Sequence, residues 1–194
     1  MRKIHLEDIQ DLVAYERGRE EFRRRIIDLK NRRRVALGDR ISLVFENRET
    51  VLSQIQEMMR TERLVDPPKI QFEIDTYNNL IPDEGELSAT LFIEITSEAD
   101  IRRELDRFLG LDRDDVVYFE IEGHGRAGSR FEQGHSNESR ISAVHYVKFP
   151  FTREQRTALV QGRVPVALAV DHPGYRASTV LTEQLRRALA EDLS

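Results

Sequence analysis

Two stretches in which apolar and polar side chains alternate constrain the fold of this chain more than any other feature. Residues two apart share one face of a β-strand, so each stretch predicts a strand with one face in a hydrophobic core. Phe92, on the other face of the first stretch, predicts that both faces are partly covered. The positions that share a core face are Leu87, Ala89, Leu91, Ile93 and Ile95 in residues 87–95, and Ile141, Ala143, His145, Val147 and Phe149 in residues 141–149.

Apolar residues at helical spacing, together with capping residues, predict the helices. The apolar stripes cover residues 6–30, 47–64 and 69–80. Gly18 weakens the middle of the first helix, where the chain could kink or break. Capping residues and stripes predict the later helices at residues 98–109 after Ser97, at residues 153–160 after a capping box of Thr152 and Gln155, and near residues 182–191.

Shorter alternating runs between turn residues predict the remaining strands. They are a hairpin of residues 33–37 and 40–45, a pair of residues 116–122 and 126–131 across Gly123–Gly125, and a strand at residues 164–170. Residues 132–139 are predicted to be a polar loop. Strands and helices interleave without a regular βαβ repeat. The sequence therefore predicts one α+β domain over residues 1–194, with a mostly antiparallel sheet, helices packed on it, and a long N-terminal helix. Residues 1–32 could form a helical extension of that domain.

The composition excludes several classes of site. The chain has no cysteine, so it can hold no disulfide, thiolate zinc site or iron–sulfur cluster of its own. No window approaches the length of apolar sequence that spans a bilayer, and the charged N-terminus lacks the apolar core of a signal peptide. These features predict a cytoplasmic protein that does not enter a membrane.

Charge is unevenly distributed along the chain. Residues 17–34 carry nine basic and three acidic side chains, whereas residues 66–122 carry sixteen acidic and five basic ones. The basic and acidic stretches are expected to attract each other within the fold or between subunits, and a homodimer is one such arrangement. The arginines at 23–25 and 32–34 could also bind phosphates, but the nearby acids and the acidic overall charge argue against nucleic acid as a partner.

Two polar stretches are candidates for chemistry. On the predicted helix after Glu46, the side chains of Thr50, Gln54, Glu57 and Arg60 follow one side, which fits either a carboxylate-rich site or a solvated face with ion pairs. The solvated face is the more common arrangement.

The second candidate stretch is Asp171-His172-Pro173-Gly174-Tyr175, which ends a predicted strand. It fits either a metal or proton-transfer site or a turn in which His172 bonds to the backbone, and the turn is favoured. His145 is expected to be a core histidine. Gly123, Gly125 and Gly128 match a dinucleotide-binding spacing, but no helix is predicted to follow them, so that function is rejected.

Longer motifs resemble a known family over nearly the whole chain. They are Phe-Glu-Asn-Arg-x-Thr at 45–50, Gln-Ile-Gln-Glu-Met-Met-Arg at 54–60, Asp-Thr-Tyr-Asn-Asn-Leu-Ile-Pro at 75–82, Gly-Glu-Leu-Ser-Ala-Thr-Leu-Phe-Ile-Glu-Ile at 85–95, Arg-Ile-Ser-Ala-Val-His-Tyr-Val at 140–147 and Asp-His-Pro-x-Tyr at 171–175. These motifs resemble the bacterial family catalogued as domain of unknown function 3501. The family has no established catalytic residues that could be carried over to this chain.

The resemblance implies a role in iron-dependent redox or peroxide-stress systems. Members are encoded near iron–sulfur oxidoreductases and rubrerythrin-like proteins, so the expected function is that of an accessory or interaction protein for such a partner. Because this chain has no cysteine, any cluster would belong to the partner.

The alternative is a metal- or small-molecule-binding enzyme, and whether the chain is an enzyme stays open. Its site would use Glu46, Glu57, Glu86 and His172, with Arg48 or Arg140 holding an anion, and oxygen and nitrogen ligands would favour iron or manganese. The polar motif residues that could line one pocket are Glu46, Arg48, Gln54, Glu57, Tyr77, Asn78, Glu86, Arg140, His172 and Tyr175, together with Asn47.

Overall fold

The strands form two antiparallel sheets. The structure, a computed structural model, describes residues 1–95, 101–132 and 141–193. The first sheet has the strand order β1-β2-β3-β7-β6, and the second has the order β5-β4-β8-β9. The strands are β1 (Arg34–Leu37), β2 (Ile41–Glu46), β3 (Glu86–Ile93), β4 (Val117–Ile121), β5 (Gly125–Gly128), β6 (Arg130–Phe131), β7 (Val144–Pro150), β8 (Val166–His172) and β9 (Tyr175–Val180).

Three of the described helices begin at capping residues that the sequence supplies. Asp11 accepts hydrogen bonds from two backbone amides at the start of the first long helix, and Asn47 and Thr152 each form a capping box. A short 3-10 turn (Leu6–Asp8) precedes them, and no described helix is long and apolar enough to cross a membrane. The helices are α1 (Leu12–Arg32), α2 (Arg48–Glu62), α3 (Pro67–Asn78), α4 (Ile101–Asp106), α5 (Arg153–Gln161) and α6 (Glu183–Leu193).

The predicted α+β class, the antiparallel pairing and the long N-terminal helix are confirmed. The first helix starts six residues later than predicted, because Asp11 caps it at Leu12, and it continues through Gly18 without a break. The hairpin around Gly38 and the pairing of β4 with β5 are also as predicted. Ser97 and residues 133–139 of the predicted loop lie outside the described residues.

Two strand predictions were wrong. Residues 126–131 do not form one strand, because Ser129 bonds to Val117 on the second sheet while Arg130 and Phe131 already pair with β7 on the first. Strand β9 was missed altogether. It lies at the edge of the second sheet and alternates half-buried with exposed residues, and its polar Arg176, Ser178 and Thr179 give little hydrophobic signal.

The main core lies between the two sheets. Phe45 and Phe149 of the first sheet contact Phe119 of the second, with ring centroids 5.8 and 5.0 Å from the Phe119 ring. A smaller core around Val51, Ile55 and Ile74 packs α2 against α3. Tyr146 of β7 packs against this smaller core, so the helices cover the opposite face of the first sheet.

A buried arginine joins three elements at one corner of the fold. Arg33, which follows α1, is 1% exposed and is the largest of the fully buried side chains in the described chain. Its guanidinium donates to the carbonyl oxygens of Phe45 (2.8 Å) and Glu46 (3.3 Å) at the end of β2, and to that of Ala188 (3.2 Å) in α6. It also forms an ion pair with Asp192. The basic cluster at 32–34 therefore includes one side chain that phosphate cannot reach.

We expect Arg33→Met to lower the free energy of unfolding by about 3–5 kcal/mol, because it leaves the Asp192 carboxylate buried without its partner. Urea titration followed by circular dichroism measures this change. The matched control is Arg32→Met, an exposed neighbour that should change stability by less than about 0.5 kcal/mol. Equal stability of the two variants would contradict the role given to Arg33.

Candidate functional site

The polar residues selected from the sequence occupy several separate places. Glu46 is buried at the end of β2, where its carboxylate accepts hydrogen bonds from the hydroxyls of Thr50 and of Thr90 (2.6 Å). Asn47 caps α2 by accepting a hydrogen bond from the Thr50 amide at 3.0 Å. Arg140 lies outside the described residues.

Glu57 belongs to the contact between α1 and α2. Its carboxylate accepts hydrogen bonds from the Tyr15 hydroxyl (2.7 Å) and from the Arg19 guanidinium (2.8 and 2.9 Å). The bond from Arg19 lowers the pKa of Glu57, and burial raises that of Tyr15. Gln54 lies half-buried on the same helix. Glu57 therefore holds two helices together through internal bonds.

The N-terminal segment is held by two more of the selected residues, Asn78 and Arg48. The Asn78 side chain accepts from the Ile4 amide and donates to the Ile4 carbonyl oxygen, both at 2.9 Å. Arg48 pairs with Asp8 at 2.7 Å. Tyr77 is half-buried beside the smaller core, and burial raises its pKa.

His172 and Tyr175 lie in the β8–β9 turn of the second sheet. His172 donates from Nε2 to the Leu109 carbonyl oxygen (2.9 Å) and accepts from the Gly174 amide at Nδ1 (3.1 Å). The Tyr175 hydroxyl donates to the Leu37 carbonyl oxygen (2.7 Å) and packs so closely on Gly38, which has φ +67°, that a side chain there would collide with it. The structure thus shows the turn arrangement for His172, and it does not bring this turn together with Glu46 or Glu57.

The carboxylates of the proposed metal site are likewise apart. Glu46 and Glu57 have the separate partners described above, and Glu86 pairs with Lys148 at 2.6 Å. In the described ranges, no group of three or more histidine, cysteine, aspartate and glutamate side chains is arranged to hold a metal ion.

The first concave surface is an open groove beside α1, here called the helical groove. It encloses about 900 Å³ between the start of α1 and the link from α2 to α3. Glu16 and Arg60 pair across it at 2.7 Å. The other residues that define it are Leu12, Val13, Arg17, Thr61, Arg63 and Val65. The sequence patterns did not predict this surface, because its apolar residues come from α1 and from the link after α2, which lie far apart in the sequence.

The second concave surface, here called the sheet cleft, lies where the end of α3 meets the helix-facing side of the first sheet. It encloses about 290 Å³, and its walls include Leu80, Ser88, Arg130, Glu132, Tyr146 and Lys148. Ser88, Lys148 and Arg130 are register partners on β3, β7 and β6, so their side chains form one row across the sheet. Ser88, Tyr146 and Lys148 could be found from the sequence, because they alternate with the core positions of the two predicted strands and so share the opposite face. The pairing of Arg130 with β7 was not readable from the sequence.

Fold and surfaces define a two-sheet α+β protein whose first sheet carries a helical layer, and the helical groove and the sheet cleft lie on that side. The chain belongs to the family described as "Protein of unknown function (DUF3501)", whose model matches residues 3–193, as the motifs predicted. It is similar to a crystal structure of a novel protein of unknown function from Burkholderia pseudomallei K96243. The two share 30% sequence identity and a TM-score of 0.92, with all of both chains covered. No curated protein matches the chain.

The contact between Arg48 and Asp8 gives a pH prediction. A hydrogen bond from the His5 amide, followed by the guanidinium groups of Arg48 and Arg2, lowers the pKa of Asp8 from 3.8 to about 2. Because the folded-state pKa is depressed, Asp8 stabilises the fold above about pH 4, and this contribution is lost as the pH falls through about 2.

An NMR titration of the Asp8 carboxyl should therefore give a pKa near 2, and Arg48→Met should raise it toward 3.8. Arg24→Met, which removes an exposed α1 arginine outside this contact, is the control and should leave the value unchanged. An ordinary pKa in the unmodified protein would show that Asp8 does not hold the N-terminal segment in this way.

Proposed function

We propose that this chain is an accessory protein that binds an acidic surface of a partner protein through the helical groove and performs no chemistry itself. The family resemblance suggests the partner class, an iron–sulfur oxidoreductase or a rubrerythrin-like protein, and hence a role in iron-dependent redox or peroxide stress. The cytoplasmic location expected from the sequence belongs to the same proposal.

The helical groove is the observation that carries this proposal. Val13 and Val65 are 63% and 75% exposed. Both are apolar, so burying them against a partner would lower the free energy of the system. Exposed apolar side chains gathered in one concave surface are typical of binding sites. Arginine is enriched at protein interfaces, and the groove holds three.

The charges of the groove indicate the partner's chemistry. Arg60 is compensated by Glu16, whereas Arg17 and Arg63 form no ion pair within the described part of the chain. The backbone of Arg63 has φ 54° and caps α2, which fixes where its side chain leaves the helix. Two uncompensated cations beside apolar side chains are complementary to an acidic segment with apolar residues.

Small-molecule binding is the second candidate, and the sheet cleft favours it. A concave site with a few polar groups among apolar ones is typical of ligand pockets. The metal version of this candidate has no support from the described side chains, because its proposed ligands Glu46, Glu57 and His172 have separate internal partners.

Co-purification at low salt with a rubrerythrin-like protein and an iron–sulfur oxidoreductase of the same organism tests the accessory function. We expect one of them to bind, with an affinity that falls as salt is added because the contact is partly electrostatic. Val65→Asp and Arg63→Glu should each weaken binding by about tenfold or more, since each puts an acidic side chain against an acidic partner.

The matched control is Val180→Asp, which changes a valine of similar exposure (64%) on β9 of the second sheet. It should bind like the unmodified protein. The proposal is wrong if Val65→Asp binds as well as this control, or if neither candidate binds at low salt. Self-association that Val65→Asp abolishes would instead make the groove a homodimer interface.

A further inference from the structure

Two like charges face each other across the strands that form the sheet cleft. Arg130 of β6 and Lys148 of β7 are direct register partners, and both line the cleft. Like charges directly opposite in an antiparallel pair destabilise it unless other charges compensate them. The stability of this pair therefore depends on the anionic groups near Arg130 and Lys148.

Lys148 has its own anionic partners. Its ammonium lies 2.6 Å from Glu86 and 3.5 Å from Asp83. Partial burial works against the charged ammonium, but these carboxylates outweigh it and raise the pKa of Lys148. Arg130, in contrast, forms no ion pair with any described residue and is exposed at the cleft. The cleft thus presents an exposed guanidinium that an anionic ligand could reach.

Two hydroxyl-bearing side chains line the same cleft. Ser88 is the register partner of Lys148, and Tyr146 lies two residues before Lys148 on the same face of β7. Burial, followed by the charges of Glu46 and Glu132, raises the pKa of Tyr146. The serine hydroxyl can donate a hydrogen bond to an anion.

The size and the other walls of the cleft limit what it can hold. Its volume of about 290 Å³ lies just below the range of roughly 300–1,000 Å³ for small-molecule pockets, so only a small ligand fits. Leu80 and the Tyr146 ring supply apolar surface. Glu132 also lines the cleft, and its charge raises the pKa of Tyr146. The single guanidinium of Arg130 matches a ligand with one negative charge.

We propose that the sheet cleft binds a small monocarboxylate with an apolar body, its carboxylate held by Arg130 and its body against Leu80 and Tyr146. A planar guanidinium matches a carboxylate through two parallel hydrogen bonds. This inference rests on the small-molecule candidate above. It shares no residue with the helical groove, so variants of one surface test it separately from the other.

Backbone amide NMR of the full chain, titrated with acetate, butyrate, hexanoate and benzoate, tests the proposal. We expect saturable shifts at residues 79–80, 88, 130–131 and 146–148 with butyrate, hexanoate or benzoate at millimolar concentration. Acetate should bind more weakly because it has almost no apolar body. Benzamide, a neutral analogue of benzoate, and inorganic phosphate should bind about tenfold more weakly or not at all.

One cleft variant and one control complete the experiment. Arg130→Gln should weaken carboxylate binding by about tenfold or more without lowering the melting temperature, because the side chain is exposed. Arg163→Gln removes an exposed arginine outside the cleft and should bind normally.

Four outcomes would overturn the proposal. They are the absence of cleft shifts with every carboxylate, equal binding of benzoate and benzamide, tighter binding of phosphate, and unchanged binding by Arg130→Gln. None of them bears on the groove variants Val65→Asp and Arg63→Glu, whose readout is partner binding.

Discussion

The buried guanidinium of Arg33 is the interaction that joins α1 and α6 to the end of β2. A charged side chain withdrawn from water is costly unless each of its donors finds a partner. Arg33 meets that condition only where α1, the end of β2 and α6 meet, because its partners come from Phe45, Glu46, Ala188 and Asp192. The geometry of one side chain thus fixes how the N-terminal and C-terminal helices sit on the first sheet.

The first sheet has two buried faces of different character. One contributes apolar side chains such as Phe45 and Phe149 to the main core. The other carries Glu46, Ser88 and Thr90, which are buried under the helical layer. Where α3 ends, this polar face is no longer covered, and the sheet cleft opens there. The cleft and the buried site of Glu46 therefore lie on the same polar face of the first sheet, and they differ in whether helices cover that face.

Patterns among neighbouring residues predicted most of the helices and strands, but they did not predict the helical groove or the sheet cleft. Alternation and capping residues placed β3, the β1–β2 hairpin and α5 because each depends on neighbours in the chain. The polar motifs made His172 and Glu57 candidates for a site. Both instead form hydrogen bonds within the fold, with Leu109 and Arg19, which are far away in the sequence. Arg130 escaped notice because its neighbour Lys148 comes from another strand.

The sequence by itself determined the α+β class, the starts of α2 and α5, and the family, since periodicity, caps and motifs are properties of contiguous residues. The tertiary structure decided which charges are compensated. Arg33 and Arg17 belong to the same basic stretch, yet one is buried against Asp192 and the other lines an open groove. That difference arises because the free energy of a charge depends on the solvent and the partners around it, and only the packed chain specifies both.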